Sequence, residues 1–214
     1  MPRKLDEKVL DVAPGTVSEN LRLARTRVLL SGSTYGEPPA VLRRCTLTAS
    51  QLQVPRSAVN VVFEECVFED LATRGLVTLS GCKFVRSVFR GRCGRFFIKS
   101  HEEYAKLSYG AHDDWALDLV SATFEELTIR QVPGRLLRLD PATQLVMSRA
   151  QLPTDWRSLG LDEVFEVQME CLEEGQWEEE VLVARLGNDP QRRDIVRLQA
   201  LLAPERGAHG PKPR

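Results

Sequence analysis

A mainly β fold of stacked parallel coils, with an α-helical appendage at the C-terminal end, is the class this sequence predicts. Three observations carry it. First, large apolar residues recur five positions apart, with a slim residue two positions before them: Cys66 and Phe68 follow Phe63, and Cys82 and Phe84 are followed by Ser87 and Phe89. Second, the doublet returns after about twenty residues. Leu52, Phe68 and Phe89 are 16 and 21 apart, while Phe84 to Phe124 and Phe89 to Ile129 are each 40 apart, two steps of about twenty. Self-similarity at such a period marks a solenoid, in which one coil cannot bury its apolar face alone. Third, beyond Pro153 the chain turns Glu-rich, with apolar residues at helical spacing.

Five-residue spacing within a period near twenty fits four short sides per coil, the large residue pointing inward and the slim one leaving room for neighbours. The pairs Cys45/Leu47, Ser50/Leu52, Cys66/Phe68, Cys82/Phe84, Ser87/Phe89 and Ala122/Phe124 resemble the inward positions of a degenerate pentapeptide-repeat protein. The resemblance implies a right-handed parallel β-helix of square section. Where that family's motif usually has Asp or Asn before the central residue, this chain has Thr46, Val67, Lys83 and Thr123, and the motif covers about a third of the sequence. The alternative is a β-sandwich, because strand alternation also places i and i+2 on one face.

Taken in order, Leu5 to Leu30 forms the cap of the first coil. Thr16 and Glu19 have capping-box spacing, which favours a short helix before Leu21, although Leu21, Leu23, Val28 and Leu30 also suit extended chain. Ser31 to Pro39 is a turn-rich loop. Short strands with frequent turns follow from Ala40 to about Arg149. The register breaks between Gly91 and Asp114, a segment expected to bulge from the solenoid as a loop, and the stack resumes at Trp115. Leu136 to Leu139 and Leu145 to Met147 read as the last strands, with Asp140 and Pro141 turning between them. Helices are expected over Leu161 to Glu174 and Gln176 to Leu186. Another begins at Asp189 as N-cap with Pro190 in its first turn, burying Ile195, Leu198, Leu201 and Leu202. The domains are therefore a solenoid with its N-terminal cap over 1–157, a helical C-terminal cap over 158–203, and a Pro/Gly-rich tail over 204–214, expected to be disordered.

The bulk composition bounds the partners. The chain has 214 residues, 43% apolar and 28% charged, with a net charge of −1. Such a balance gives no global drive toward nucleic acid or membrane, and no secretory leader or stretch of spanning length is evident. Five cysteines, three at slim inward positions, are read as buried thiols rather than a disulfide framework. A reducing, bacterial-type cytoplasm is the expected setting.

Arg74, Lys83, Arg86, Arg90, Arg92, Arg95 and Lys99 form a basic stretch with no Asp or Glu from Leu71 to Ser100. Stacked coils align residues one period apart, so part of this stretch is expected to converge on an anionic partner surface. The alternative is a solvated face balanced by acids on adjacent coils. Asp162, Glu163, Glu166, Glu170, Glu173, Glu174, Glu178, Glu179 and Glu180 form the acidic counterpart, read as the outer face of solubilising helices. Tyr104, Tyr109 and Trp115 are residue types that anchor interfaces. His101, His112, Asp113, Asp114 and Cys93 lie within the register break but lack the tight ligand spacing of a metal site. No phosphate cradle or nucleophile motif accompanies them, so neither a metal nor a cofactor is expected.

These features point to a non-enzymatic protein-binding solenoid, an adaptor or an immunity-type protein, able to pair two copies through a coil end. The family resemblance raises a second reading, a DNA mimic that occupies topoisomerase, but that role needs a smooth acidic rod and the central coils here are basic. A β-helix enzyme acting on glycans is the third. The stacked interior has an energetic consequence. Phe68→Ala is expected to cost about 3–5 kcal/mol in a denaturant titration, and Glu69→Ala far less; equal costs would remove the case for the stack.

Overall fold

Residues 9–30, 37–54, 60–100 and 109–203 are described by the computed structural model, and their strands wind into a parallel β-solenoid of about five coils. In chain order, β1 (Val9–Val12), β2 (Val17–Glu19), β3 (Arg22–Ala24) and β4 (Arg27–Leu30) begin it. Next come β5 (Ala40–Arg43), β6 (Thr46–Thr48) and β7 (Gln51–Gln53), then β8 (Val61–Glu64), β9 (Val67–Glu69) and β10 (Leu76–Ser80). β11 (Cys82–Val85) leads into two long strands, β12 (Ser87–Lys99) and β13 (Leu117–Arg130), and β14 (Leu137–Arg138) closes the stack. One face carries β2, β5, β8 and β11; a second carries β3, β6, β9, β12, β13 and β14; a third carries β1, β4 and β7. The long strands turn a corner, since β12 lies beside β9 in its first part and beside β10 in its second. All these pairings are parallel, which rules out the sandwich.

Registers show how the apolar columns are built. Leu23, Leu47, Phe68 and Phe89 stand one above another on the second face, and Leu42, Phe63 and Phe84 do so on the first. Phe63 and Phe84 stack at 5.0 Å between ring centroids, Phe68 and Phe89 at 4.6 Å, and the two columns meet edge to face at 5.3 Å through Phe63 and Phe68. Offset and edge-on contacts of this kind add about 0.5–1.5 kcal/mol per pair to burial. All the inward pairs expected from the sequence are buried.

Two distances in the sequence period need correction. Leu52 stands beside Val28 on the third face, not in the Phe68 column, so its 16-residue separation crosses faces. The 40-residue separations are not two coils either. Phe124 pairs with Cys93 and Ile129 with Ile98, a single step of 31 residues. A five-residue spacing along each coil allows a neighbour on the next side to pass for a neighbour on the next coil.

The slim inward residues have a polar task. Ser87 donates its hydroxyl to the Phe63 carbonyl of the preceding coil (3.0 Å) and accepts the Cys66 N–H (3.2 Å). Ser50 does the same between the Leu23 carbonyl and the Thr26 N–H, each at 3.2 Å. The Cys66 thiol donates to the Leu42 carbonyl at 3.2 Å; the Cys45 thiol beside it and burial together hold it far above the usual thiol range. Burial pushes the Cys82 thiol up to about 12. All five cysteines are free.

The five-residue rhythm itself comes from the corners. Asn20, Arg44, Glu65 and Arg86 form one column of residues with positive φ, and Arg25, Ala49, Asp70 and Gly91 form a second, five residues further along each coil. A non-glycine residue there costs roughly 1–2 kcal/mol. Nearly every corner N–H is met by a carbonyl of the following coil: Arg44 by Glu64 (2.8 Å), Glu65 by Val85 (2.8 Å) and Ala49 by Glu69 (2.9 Å).

Several expected elements differ. Val17–Glu19 is a strand, not a helix, and Thr16 directs its hydroxyl to the Ala13 carbonyl (2.6 Å). Gly91 to Lys99 is part of β12 rather than a loop, because Arg90 to Lys99 finds a continuous parallel partner in β13. β15 (Gln144–Ser148) leaves the stack and pairs antiparallel with β16 (Glu179–Val183). The helix expected over Gln176 to Leu186 is thus a strand, whose unbroken apolar run from Val181 to Val183 is buried. α1 (Glu163–Glu173) and α2 (Asp189–Leu202) are the helices of the C-terminal cap, and Asn188 rather than Asp189 caps α2, accepting the Gln191 N–H at 3.3 Å. Ile195 and Leu198 are buried there, while Leu201 faces outward. Met147, Trp156, Phe165, Met169, Leu182 and Ile195 share a second core. The tail beyond residue 203 and residues 31–36 of the loop expected over Ser31 to Pro39 lie outside the described residues.

A Cβ on Gly91 (φ +73°) would lie 2.2 Å from Asp70 Oδ1. Gly91→Ala is therefore expected to cost about 2 kcal/mol or more in urea unfolding. Ala49→Gly in the same corner column is expected to be neutral or slightly stabilising.

Candidate partner-binding flank

The first face ends at β11. Where the next coil would add a strand, residues 109–116 run as an irregular segment, and the sequence explains its shape. Asp113 accepts the Gly110 N–H on its carboxylate (2.8 Å), tightening a turn through Ala111 and His112. Arg135, one coil on, clamps that turn from outside, donating to the carbonyls of Gly110 (2.8 Å) and Asp113 (3.3 Å). Tyr109 substitutes for a strand: its hydroxyl accepts the Phe84 N–H at 3.0 Å, and burial pushes the phenol above its usual range. Trp115 and Ala116 then supply the carbonyls that receive the N–H groups of Arg86 (3.1 Å) and Ser87 (3.0 Å).

Between segment and strand lies a cavity of about 190 Å³, floored by Phe84 and Val85 and walled by Arg86, His112, Asp114 and Trp115. Lys83 lies 3.4 Å from the Asp113 carboxylate and 5.4 Å from the centre of the Tyr109 ring. The Gly110 N–H, and then the cations Lys83 and Arg135, hold the Asp113 carboxyl below the ordinary range. Arg86 reaches Glu65 at 2.8 Å, and Arg138 covers the Trp115 ring at 4.2 Å. His112 and Asp114 are exposed at the rim.

Of the residues singled out in the sequence, Lys83, Arg86, Tyr109 and Trp115 therefore converge here. Arg90, Arg92, Arg95 and Lys99 do not; they continue along β12. The basic stretch is balanced across coils rather than along the chain. Arg90 pairs with Glu69 (3.0 Å), Arg95 with Glu126 (2.6 Å) and, further down the stack, Arg43 with Glu19 (2.7 Å) and Glu64 (2.6 Å). Arg74 borders a shallow depression with Leu52, Gly75 and Leu76. Tyr104 and His101 lie outside the described residues. Cys93 is inside the core, its thiol pushed up to about 11 by burial, away from the exposed His112. Among the described residues no group of three His, Cys, Asp or Glu is arranged to hold a metal ion. The acidic stretch divides: Glu173 pairs with Arg157, Glu179 accepts the Gly134 N–H (2.6 Å), and Glu180 is buried.

Arg135 and Arg138 are the residues of this flank that sequence reasoning missed. Their only signal is position, since Arg135 follows Gly110 and Asp113 by 25 and 22 residues, about one coil. No helix among the described residues is long and apolar enough to cross a membrane. Comparison with protein-family models, with curated proteins and with solved structures returns no match.

Tyr109→Phe removes the acceptor of a backbone N–H on the last strand of this face. The expected cost is about 1–3 kcal/mol of stability in chemical denaturation, against little change for the exposed His112→Ala.

Proposed function

We propose that this chain is a degenerate pentapeptide-repeat protein that binds a protein partner rather than turning over a substrate, acting as an adaptor or immunity-type protein in a bacterial cytoplasm. The observation that carries this reading is the flank at residues 109–116. An irregular segment is held rigid by Arg135 and by the Tyr109 hydroxyl, so that Trp115 and Arg86 are set around one cavity, with Lys83 beside it on Asp113, before any partner arrives. Rigid aromatic and Arg anchors lower the ordering cost of association. A volume of about 190 Å³ suits one inserted side chain and falls short of the roughly 300–1,000 Å³ of most small-molecule sites.

The corner spacing of five supports the family assignment. Alternating charges across the coils favour this reading over a DNA mimic, whose rod would carry one sign. A second copy docked on the first coil belongs to the same proposal, because Val9 and Val17 are exposed there and Leu10, Leu21 and Leu23 only partly buried; light scattering after size exclusion reads it directly.

The test is capture of a stoichiometric protein by the wild-type chain, followed by titration against variants. Trp115→Ala is expected to weaken the complex about 30-fold or more, and Arg86→Glu similarly, with affinity falling as salt rises. A partner held equally by wild type and both variants removes the flank from the contact.

A further inference from the structure

Glu180 sits where the C-terminal cap meets the last full coil, and its side chain is completely buried. β16 carries it at the level of Met147 on β15. From β13, Arg130 brings its Nε to 3.9 Å of Glu180 Oε1; from α1, Gln168 donates to the same oxygen at 3.4 Å. Glu180 Oε2, Arg130 Nε, Gln168 Oε1 and Trp177 Nε1 all lack a hydrogen-bond partner. The Arg130 guanidinium is held by rings instead, 4.3 Å from the centre of Trp177 and 5.3 Å from that of Phe97. Arg130 is the charged group that faces Glu180. The neighbouring acids turn elsewhere, Glu179 to the Gly134 N–H and Glu126 to Arg95 and Arg185.

A carboxylate in this place has an Arg too distant for a hydrogen bond and one oxygen with no donor, so the geometry suits the neutral acid better than the anion. We propose that Glu180 and Arg130 form a proton-operated clasp, in which neutral Glu180 seats the C-terminal cap on the solenoid and its ionisation loosens the cap. Burial raises the Glu180 carboxyl to about 7, in keeping with this. For an acid raised in the closed form, the closed form keeps its full advantage below the ordinary Glu value. It loses that advantage as pH rises toward and through about 7. Between pH 6 and pH 8 the cap's opening constant is then expected to rise about tenfold. This inference is independent of what the flank at 109–116 binds.

Hydrogen exchange of the full chain, corrected for intrinsic chemistry, measures it. Amides of α1, β15 and β16 are expected to lose protection about tenfold from pH 6 to pH 8, while those of β8 and β9 hold steady. Glu180→Gln is expected to abolish the difference. Equal protection of the wild-type cap at both pH values, or an unchanged pH dependence in the variant, overturns the clasp. Should the variant fail to fold, carboxyl-carbon NMR of the wild type decides: a Glu180 midpoint near 7 supports the proposal, and one in the ordinary Glu range overturns it.

Discussion

Twice in most coils the backbone passes through the left-handed region, and the solenoid closes because a carbonyl of the following coil receives the N–H at nearly every such corner. The conformation is unfavourable for Arg, Glu or Ala taken alone. It persists because the stack supplies the acceptor and because the residues beside it are buried. Corner and core therefore depend on each other. Without the turn, Phe68 and Phe89 would not share a column; without the column, nothing holds Glu65 or Arg86 at positive φ.

Side chains on the outside follow the same geometry. Residues 21 to 31 positions apart in sequence become neighbours, so Arg43 lies between Glu19 and Glu64, and Arg95 reaches Glu126. Exposed pairs of this type are each worth about 0–1 kcal/mol, little beside the buried rings. Their alternation of sign still matters, since like charges stacked in a row would oppose the register that the interior favours.

Much of this architecture is legible in the sequence because burial is periodic. The slim and large inward positions stand out, and their burial matches in every pair from Cys45/Leu47 to Ala122/Phe124. The corners are hidden because Arg44, Glu65 and Arg86 occupy positions where a sequence reader looks for Gly or Asn. Coil length is hidden too, because neighbouring sides repeat at the same five residues. β16 resembles a helix since its preceding Glu residues suit one, and only its partner β15 settles the matter. At the flank, Tyr109 and Trp115 are recognisable by type, and Lys83 and Arg86 by charge. Arg135, which fixes the turn they surround, is one coil away and carries no local mark.

The two ends of the column are not alike. Leu23 and Leu47 give way to Phe68 and Phe89 along the second face, and β15, β16 and two helices are packed at the C-terminal end. Head-to-tail growth needs both ends to be available and complementary, the condition for an open filament. Here one end is plugged by the chain's own fold. Head-to-tail growth into a fibre is thereby closed off at that end, and the two-copy contact proposed above falls to the N-terminal coils, about a two-fold axis that stops at two subunits.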